Sequence, residues 1–198
     1  MSAFGLWEIL AIAMIYVING IPFGVIVSKR SGVDIRAHGS GNTGATNVAR
    51  VVGKKAGITV LVLDFLKGFI PLFILVRYIF PGEPWVHLAA AVAAILGHCY
   101  SVFLNFSGGK ASITGLACLF ALEPVIAAGM ALLVFIIFKI SRMVSLAALI
   151  AALITPVALY LYGSPLPYTL YGLAAALLLI YRHRSNITRL VQGTENKI

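Results

Sequence analysis

The chain is 198 residues long, 61% apolar and only 11% charged, with a formal net charge of +9 and a mean hydropathy of +1.00. That composition leaves too little polar surface to cover a soluble globule, so the chain belongs in a bilayer. An excess of 15 basic over 6 acidic residues would suit nucleic acid in a soluble protein, but in a membrane protein it marks cytoplasmic loops.

Apolar segments fall near 6–27, 56–80, 84–104, 111–138, 143–160 and 166–181. Most approach the ~20 residues that a helix needs to cross ~30 Å of hydrocarbon. The loops between them are short, so residues 1–198 read as a single domain. No basic stretch precedes the first run and no small-residue cleavage site follows it, so it stays as a span rather than a cleavable signal. Trp7, Trp85, Tyr100, Tyr160, Tyr162, Tyr168 and Tyr181 lie near segment ends, where an interfacial aromatic belt would place them. Cys99 and Cys118 lie inside apolar runs and read as small core residues.

Basic residues orient the spans. The loop after the first span carries Lys29, Arg30, Arg36, Arg50, Lys54 and Lys55, whereas nothing basic precedes Trp7. That loop is therefore expected in the cytoplasm and the N-terminus outside. The tail, with Arg182, Arg184, Arg189 and Lys197, is expected to be cytoplasmic as well. An outside start and an inside end require an odd number of crossings, so one segment must be double. The candidate is 111–138, interrupted by Glu123-Pro124, because proline removes a helix donor and disfavours helical geometry in the residue before it. Splitting it also places Lys139 and Arg142 inside and the nearly chargeless YGSPLPY outside. The expected fold class is an all-α polytopic membrane protein of seven transmembrane helices. The first half of the split segment is short, roughly a dozen residues or ~18 Å of helix.

Against this apolar background, His38–Arg50 reads HGSGNTGATNVAR. Gly39, Gly41 and Gly44 fit G-x-G-x-x-G, with Asp64 about 20 residues on, as a dinucleotide fingerprint would ask. The context refuses it, since no strand precedes the motif and Asp64 falls inside the next span, leaving no room for a βαβ unit. The GGK at Gly108–Lys110 is followed by Ala111 and lacks the upstream glycine of a phosphate-binding P-loop. Dense glycine does permit positive φ and close approach of backbone N–H groups to an anion. Ser40, Asn42, Thr43, Thr46 and Asn47 add neutral donors, and Arg50 adds a fork suited to phosphate or carboxylate. The competing reading is a Gly/Ser/Asn-rich turn that merely joins two helices.

Further motifs converge on the same face. GHCYSVFLNFSGGK, residues 97–110, brings a second glycine pair and Lys110, and YRHRSNITRLVQGTE, residues 181–195, adds Arg182, His183, Asn186 and Glu195. Asp64 and Lys67, one turn apart in DFLKG, read as an ion pair that neutralises itself within a span. His98 reads as hydrogen-bonded to a backbone carbonyl. A phosphate or polyol-phosphate transporter would also gather glycine loops and cations among helices, but would show inverted repeats with broken helices at the midplane. Only one break is visible here, and a membrane scaffold would need none of these polar motifs.

In their order, and separated by spans, GSGNTGATNVAR, DFLKG, GHCYSVFLNFSGGK and RHRSNITRL with GTE resemble the bacterial acyl-phosphate-dependent glycerol-3-phosphate acyltransferase family over nearly the whole chain. The resemblance implies a seven-span enzyme of the bacterial inner membrane whose site faces the cytoplasm. It would move a fatty acyl group from acyl phosphate to the sn-1 hydroxyl of glycerol 3-phosphate, giving lysophosphatidic acid and inorganic phosphate in the first acylation step of phospholipid synthesis. The matching positions imply Arg50, Lys110, His183 and Asn186 as catalytic residues. They imply Ser40, Gly41, Asn42, Gly44, Asn47, Gly108, Gly109 and Ser145 as substrate-binding residues. The implied partners are glycerol 3-phosphate, acyl phosphate and membrane lipid, with no nucleic acid, metal or cofactor, and the expected state is a monomer. One departure stands out: Ala111 replaces the glycine that usually continues GGK in the family, which puts the backbone freedom after Lys110 in question.

The residues agree with this chemistry on their own terms. An acyl phosphate is an activated mixed anhydride, so neither a covalent acyl-enzyme nor a metal is required, and no Ser-His-Asp order or zinc-ligand spacing occurs. None of the 4 histidines is followed five positions later by aspartate, so the His-x4-Asp acyltransferase mechanism is absent and acyl-CoA is the less natural donor. Two acceptors are open for the hydroxyl proton, His183 and a phosphate oxygen of the substrate, and the phosphate is favoured. Beside Arg182 and Arg184, the cationic form of that histidine would be disfavoured only modestly.

Overall fold

The structure is a computed structural model that describes residues 4–197. Among the described residues ten α-helices follow one another: α1 (Leu6–Gly20), α2 (Phe23–Arg30), α3 (Ala45–Val51), α4 (Lys54–Ile74), α5 (Pro84–Cys99), α6 (Ser112–Leu122), α7 (Pro124–Ser141), α8 (Val144–Tyr162), α9 (Leu166–Arg182) and α10 (Arg184–Val191). A π-turn, Leu75–Ile79, extends α4. No strand occurs among the described residues beyond an isolated bridge between Ser101 and Ser107.

Four stretches are long and apolar enough to cross a bilayer: Leu6–Arg30, Lys54–Ile79, Pro124–Ser141 and Val144–Tyr162. Three further apolar helices, Pro84–Cys99, Ser112–Leu122 and Leu166–Arg182, are shorter. The sequence expectation of a break at Glu123-Pro124 holds, with Glu123 leaving helical geometry (φ −138°, ψ 84°) and Pro124 starting α7. α6 has 11 residues, close to the dozen expected.

Two boundaries differ from the hydropathy reading. The first segment is not one helix, because Pro22 lacks the N–H that would continue α1, and the chain restarts as α2. Carbonyls freed at that break have distant donors: Ser101 Oγ donates to Gly20 O at 2.5 Å, and Lys67 Nζ donates to Ile21 O at 2.8 Å. The segment near 84–104 stops being α-helical at Cys99 and turns through Asn105 and Phe106, both at positive φ.

Helices meet through small side chains, as they do where lipid removes the hydrophobic drive for association. α1 packs on α5, α4 on α6, and α8 on α9. At Gly97 of α5 a Cβ would strike the Tyr16 carbonyl of α1, and at Gly68 of α4 it would press on Thr114 and Ala117 of α6 at 3.1 Å. The buried core accordingly contains Ala90, Ala91, Ala94, Ala117 and Ala121, while Leu132, Phe135 and Ile140 of α7 point outward. An apolar outside over a small-residue inside is the distribution of a membrane bundle.

Candidate active site

The first polar loop is folded by Asn47. From α3 its Oδ1 accepts the Ser40 N–H at 2.9 Å, while its Nδ2 faces the carbonyls of Asn42 at 2.9 Å, His38 at 3.0 Å and Ile35 at 3.4 Å. Asn42 Oδ1 in turn accepts the Gly44 N–H at 2.8 Å, an Asx turn that starts α3. Asn47 thus spends its amide on the loop and Asn42 spends its oxygen there, while both residues, with Gly44, also line a cavity. Of the glycines, Gly39 and Gly41 take left-handed geometry, φ +62° and +68°, but Gly44 is extended at φ −76° and precedes the helix. The exposed Arg50 stands two turns along α3, and both Ser40 and Arg50 line that cavity.

The second loop reaches the same cavity through Lys110. Gly108 and Gly109 pack closely against His98. A Cβ on Gly108 would run into the His98 main-chain carbonyl, and one on Gly109 would run into the His98 ring. The Gly109 N–H is already committed to His98 O at 3.1 Å. Neither glycine, nor Gly41, lines the cavity. Their service is to let the chain lie flat on α5 so that Lys110 enters the cavity. His98 does not bond a backbone carbonyl through its ring as expected; its Nδ1 faces Thr114 Oγ1 at 3.1 Å. Asp64 and Lys67 pair at 2.7 Å, as expected, and both are buried.

Arg182, at the end of α9, clamps the second loop, its Nη2 donating to Gly108 O at 2.8 Å and its Nε to Gly109 O at 3.2 Å. Beyond it lie His183, at the junction of α9 and α10, and Asn186 and Arg189 of α10. Lys110 Nζ donates to Asn186 Oδ1. Asn186 Nδ2 and Ser145 Oγ both donate to Glu195 Oε1, at 2.6 and 2.7 Å, and Arg189 Nε donates to Glu195 Oε2 at 2.8 Å. Sequence reasoning placed Arg182 and Glu195 on this face without a role and did not single out Arg189 for the site. The signal was the density of ionisable residues in the tail.

The cavity has a volume of about 310 Å³. Its polar end is lined by Ser40, Arg50, Lys110, Ser145, His183 and Asn186, which joins residues expected from three separated motifs and from the start of α8. Its apolar part is lined by Leu116 and Leu119 of α6, Met130 and Val134 of α7, and Ala148 and Ala151 of α8. Along α8 the lining runs from Ser145 to Thr155, ~15 Å at helical rise. Burial pushes Lys110 down to about 8, with Arg189, Arg182 and Arg50 adding to the shift and Glu195 opposing it. An anion arriving there restores the ammonium. Burial likewise holds His183 down at about 4, so the sequence expectation of only a modest effect on its cation is corrected. His183 Nδ1 donates to Leu179 O at 2.9 Å, which leaves Nε2 with the lone pair. Burial pushes the Glu195 carboxyl up, but hydrogen bonds from Ser145, Asn186 and Arg189 outweigh it and hold the group below its ordinary value.

A family model described as glycerol-3-phosphate acyltransferase matches residues 9–193. The glycerol-3-phosphate acyltransferase of Rubrobacter xylanophilus is 42% identical, over 96% of this chain and 94% of its own. That of Aquifex aeolicus is 43% identical over 92% and 94% respectively. Among solved structures, PlsY, an integral membrane glycerol 3-phosphate acyltransferase, superposes in its glycerol 3-phosphate form with a TM-score of 0.93 at 41% identity, covering 97% of this chain and 96% of that one. Its lysophosphatidic acid form superposes with a TM-score of 0.90, covering 97% and 95%. With a family model, relatives above 40% identity and a superposed structure all covering nearly its full length, this chain belongs to the glycerol-3-phosphate acyltransferase family.

Proposed function

We propose that the protein transfers a fatty acyl group from acyl phosphate to the sn-1 hydroxyl of glycerol 3-phosphate, releasing lysophosphatidic acid and inorganic phosphate. The observation that carries this reading is one cavity with cations at its polar end and apolar side chains along its depth. An acyl phosphate is an anion on an apolar chain and fits both parts, while glycerol 3-phosphate fits the polar end alone. Arg50 and Lys110 hold the two phosphates against their mutual repulsion, with Ser40 and Asn42 as neutral donors. The hydroxyl oxygen attacks the acyl carbon, the carbon–oxygen bond to phosphate breaks, and phosphate leaves with the electron pair. His183 Nε2 accepts a hydrogen bond from the attacking hydroxyl and aims it, but a base of pKa about 4 is a poor proton sink. The proton therefore passes to a phosphate oxygen. Holding both reactants in line is worth up to roughly 7–11 kcal/mol, which suffices for an already activated donor.

The same reading has seven crossings of a bacterial inner membrane, with the N-terminus outside and the site in the cytoplasm. It is supported by the seven apolar helices and by the basic residues that flank the polar end. A monomer suffices, since one chain supplies every lining residue. Purified protein in lipid, given acyl phosphate and glycerol 3-phosphate, should release inorganic phosphate and form the sn-1 ester. Turnover with acyl-CoA but none with acyl phosphate would refute the donor, and a product acylated at another hydroxyl would refute the regiochemistry.

A further inference from the structure

Besides Asp64, which is paired with Lys67, the cavity is lined by a second carboxylate, Glu195, that the reaction just described does not use. Glu195 comes from the segment after α10, and its side chain is only 5% exposed. Both of its oxygens are engaged, by Ser145 of α8 and by Asn186 and Arg189 of α10, and each of these residues lines the cavity. This is an unusual place for a carboxylate, because the cavity is read here as a seat for phosphate anions.

Donor and acceptor chemistry says what the group achieves there. An ammonium only donates and a carboxylate only accepts, whereas a primary amide presents an acceptor oxygen on one side and a donor nitrogen on the other. Asn186 lies between Lys110 and Glu195, so only one of its two amide orientations satisfies both neighbours: oxygen toward Lys110 and nitrogen toward Glu195. Without the carboxylate the amide is free to turn, and its nitrogen would then confront the lysine donor. Arg189 is fixed by the same carboxylate through Nε, which leaves the rest of its guanidinium fork at the cavity. We propose that Glu195 is a positioning residue of the anion seat, orienting Asn186 so that Lys110 is held in place and fixing Arg189 as a further phosphate-binding cation.

The proposal rests on the functional reading above and predicts behaviour that a mere anchor for the tail would not produce. The charged groups facing Lys110 are Arg50 from α3, Arg182 from α9, and Arg189 and Glu195 from α10 and the segment after it; neutral His183 adjoins them. Lys110 binds phosphate as the cation, so kcat/KM for glycerol 3-phosphate falls as pH rises through its pKa, about 8 in the free protein. Glu195→Gln removes the one anion in that group, so the alkaline limb moves to lower pH by roughly half a unit or more. Arg189→Gln removes a cation and moves the limb to higher pH. The position of a limb does not depend on how much of a variant folds.

The experiment measures kcat/KM for glycerol 3-phosphate against pH for the parent protein, Glu195→Gln, Arg189→Gln, Asn186→Ala and the Glu195→Gln/Asn186→Ala double variant. Glycerol 3-phosphate affinity is measured by calorimetry, without acyl donor, over the same pH range. At neutral pH Glu195→Gln should lower kcat/KM by about ten-fold alone and by less than about three-fold when Asn186 is already alanine, because most of its effect passes through that amide. Equal losses in both backgrounds, or limbs that stay in place, would overturn the proposal. If Glu195→Gln does not fold, Arg189→Gln decides: a limb moved upward supports the shared seat, and an unmoved one overturns it. A failure of turnover in the parent protein with the limb intact in calorimetry would count against the acyl donor and not against Glu195.

Discussion

Asp64 and Lys67 offer a quantitative test of how the bundle tolerates charge. They sit one turn apart on α4, their side chains 3% and 5% exposed, joined at 2.7 Å. Lys67 also supplies the donor for the Ile21 carbonyl at the α1–α2 break. Removing one partner of a buried ion pair strands the other charge, at a cost of about 3–5 kcal/mol. Removing both leaves no stranded charge and sacrifices chiefly the bond to Ile21, about 1.5–3 kcal/mol for a charged donor. Lys67→Met should therefore be less stable than Asp64→Asn/Lys67→Met, even though the double variant has lost more contacts. For a chain of this size each kcal/mol corresponds to roughly 2–4 °C in Tm, so the single change should lower Tm by about 6–20 °C. The buried free thiols Cys99 and Cys118 provide the readout, since a thiol-reactive dye reports their exposure on melting in detergent or nanodiscs. If the double variant melts at or below the Tm of Lys67→Met, the pair is not a self-neutralising unit.

Other expectations follow from the site. Arg50→Ala and Lys110→Ala should each lower kcat/KM by about 10- to 150-fold, the worth of a charged hydrogen bond, with little change in Tm for the exposed Arg50; near-normal turnover would remove that residue from the anion seat. Gly109→Ala should cost about 1–3 kcal/mol by overpacking and raise KM for glycerol 3-phosphate, because the His98 ring cannot withdraw from the added methyl while Thr114 holds it; a silent substitution would refute that packing. His183 is neutral when folded, with its pKa depressed to about 4, so the unfolded chain binds the extra proton between about 4 and 6.5. Its contribution to stability is thus complete above about 6.5 and is lost as pH falls through that window, and His183→Gln should flatten the slope of Tm against pH there.

The helices themselves were legible because hydropathy is a property of contiguous sequence. Glu123-Pro124 was readable for the same reason, since the proline lies within one apolar segment. Pro22 carries as strong a local signal, yet its break passed unnoticed, because the donors that make it affordable, Lys67 and Ser101, lie 46 and 81 residues away from the carbonyls they satisfy. The site shows the same division. Residue types announced an anion seat, and the cavity gathers Ser40, Arg50, Lys110, His183 and Asn186 as the motifs suggested. Which group faces the seat and which builds it was not readable. Asn47 looks like a free donor until the loop path from Ile35 to Asn42 is known, and then every polar atom of its amide is committed to that path. Gly108 and Gly109 resemble a phosphate loop in sequence, and their packing against His98 shows only in three dimensions.

Ala111 shows how little freedom the site needs at Lys110. The family's glycine suggests a hinge, but here the residue is an alanine held in left-handed geometry, φ 57° and ψ 17°. That conformation costs an L-residue roughly 1–2 kcal/mol, and burying the methyl, 5% exposed in the main core, returns about 0.8. A strained residue persists only where its surroundings over-determine it. The surroundings of Lys110 do so from every side: Arg182 holds the carbonyls of Gly108 and Gly109, His98 lies beneath them, α6 begins immediately after Ala111, and Asn186 receives the ammonium. A lysine placed that firmly has already lost the rotamer freedom that binding would otherwise cost, up to about 2 kcal/mol for such a side chain. On the proposed function the seat therefore meets its anion pre-organised, and the alanine fits a loop whose task is to hold Lys110 still.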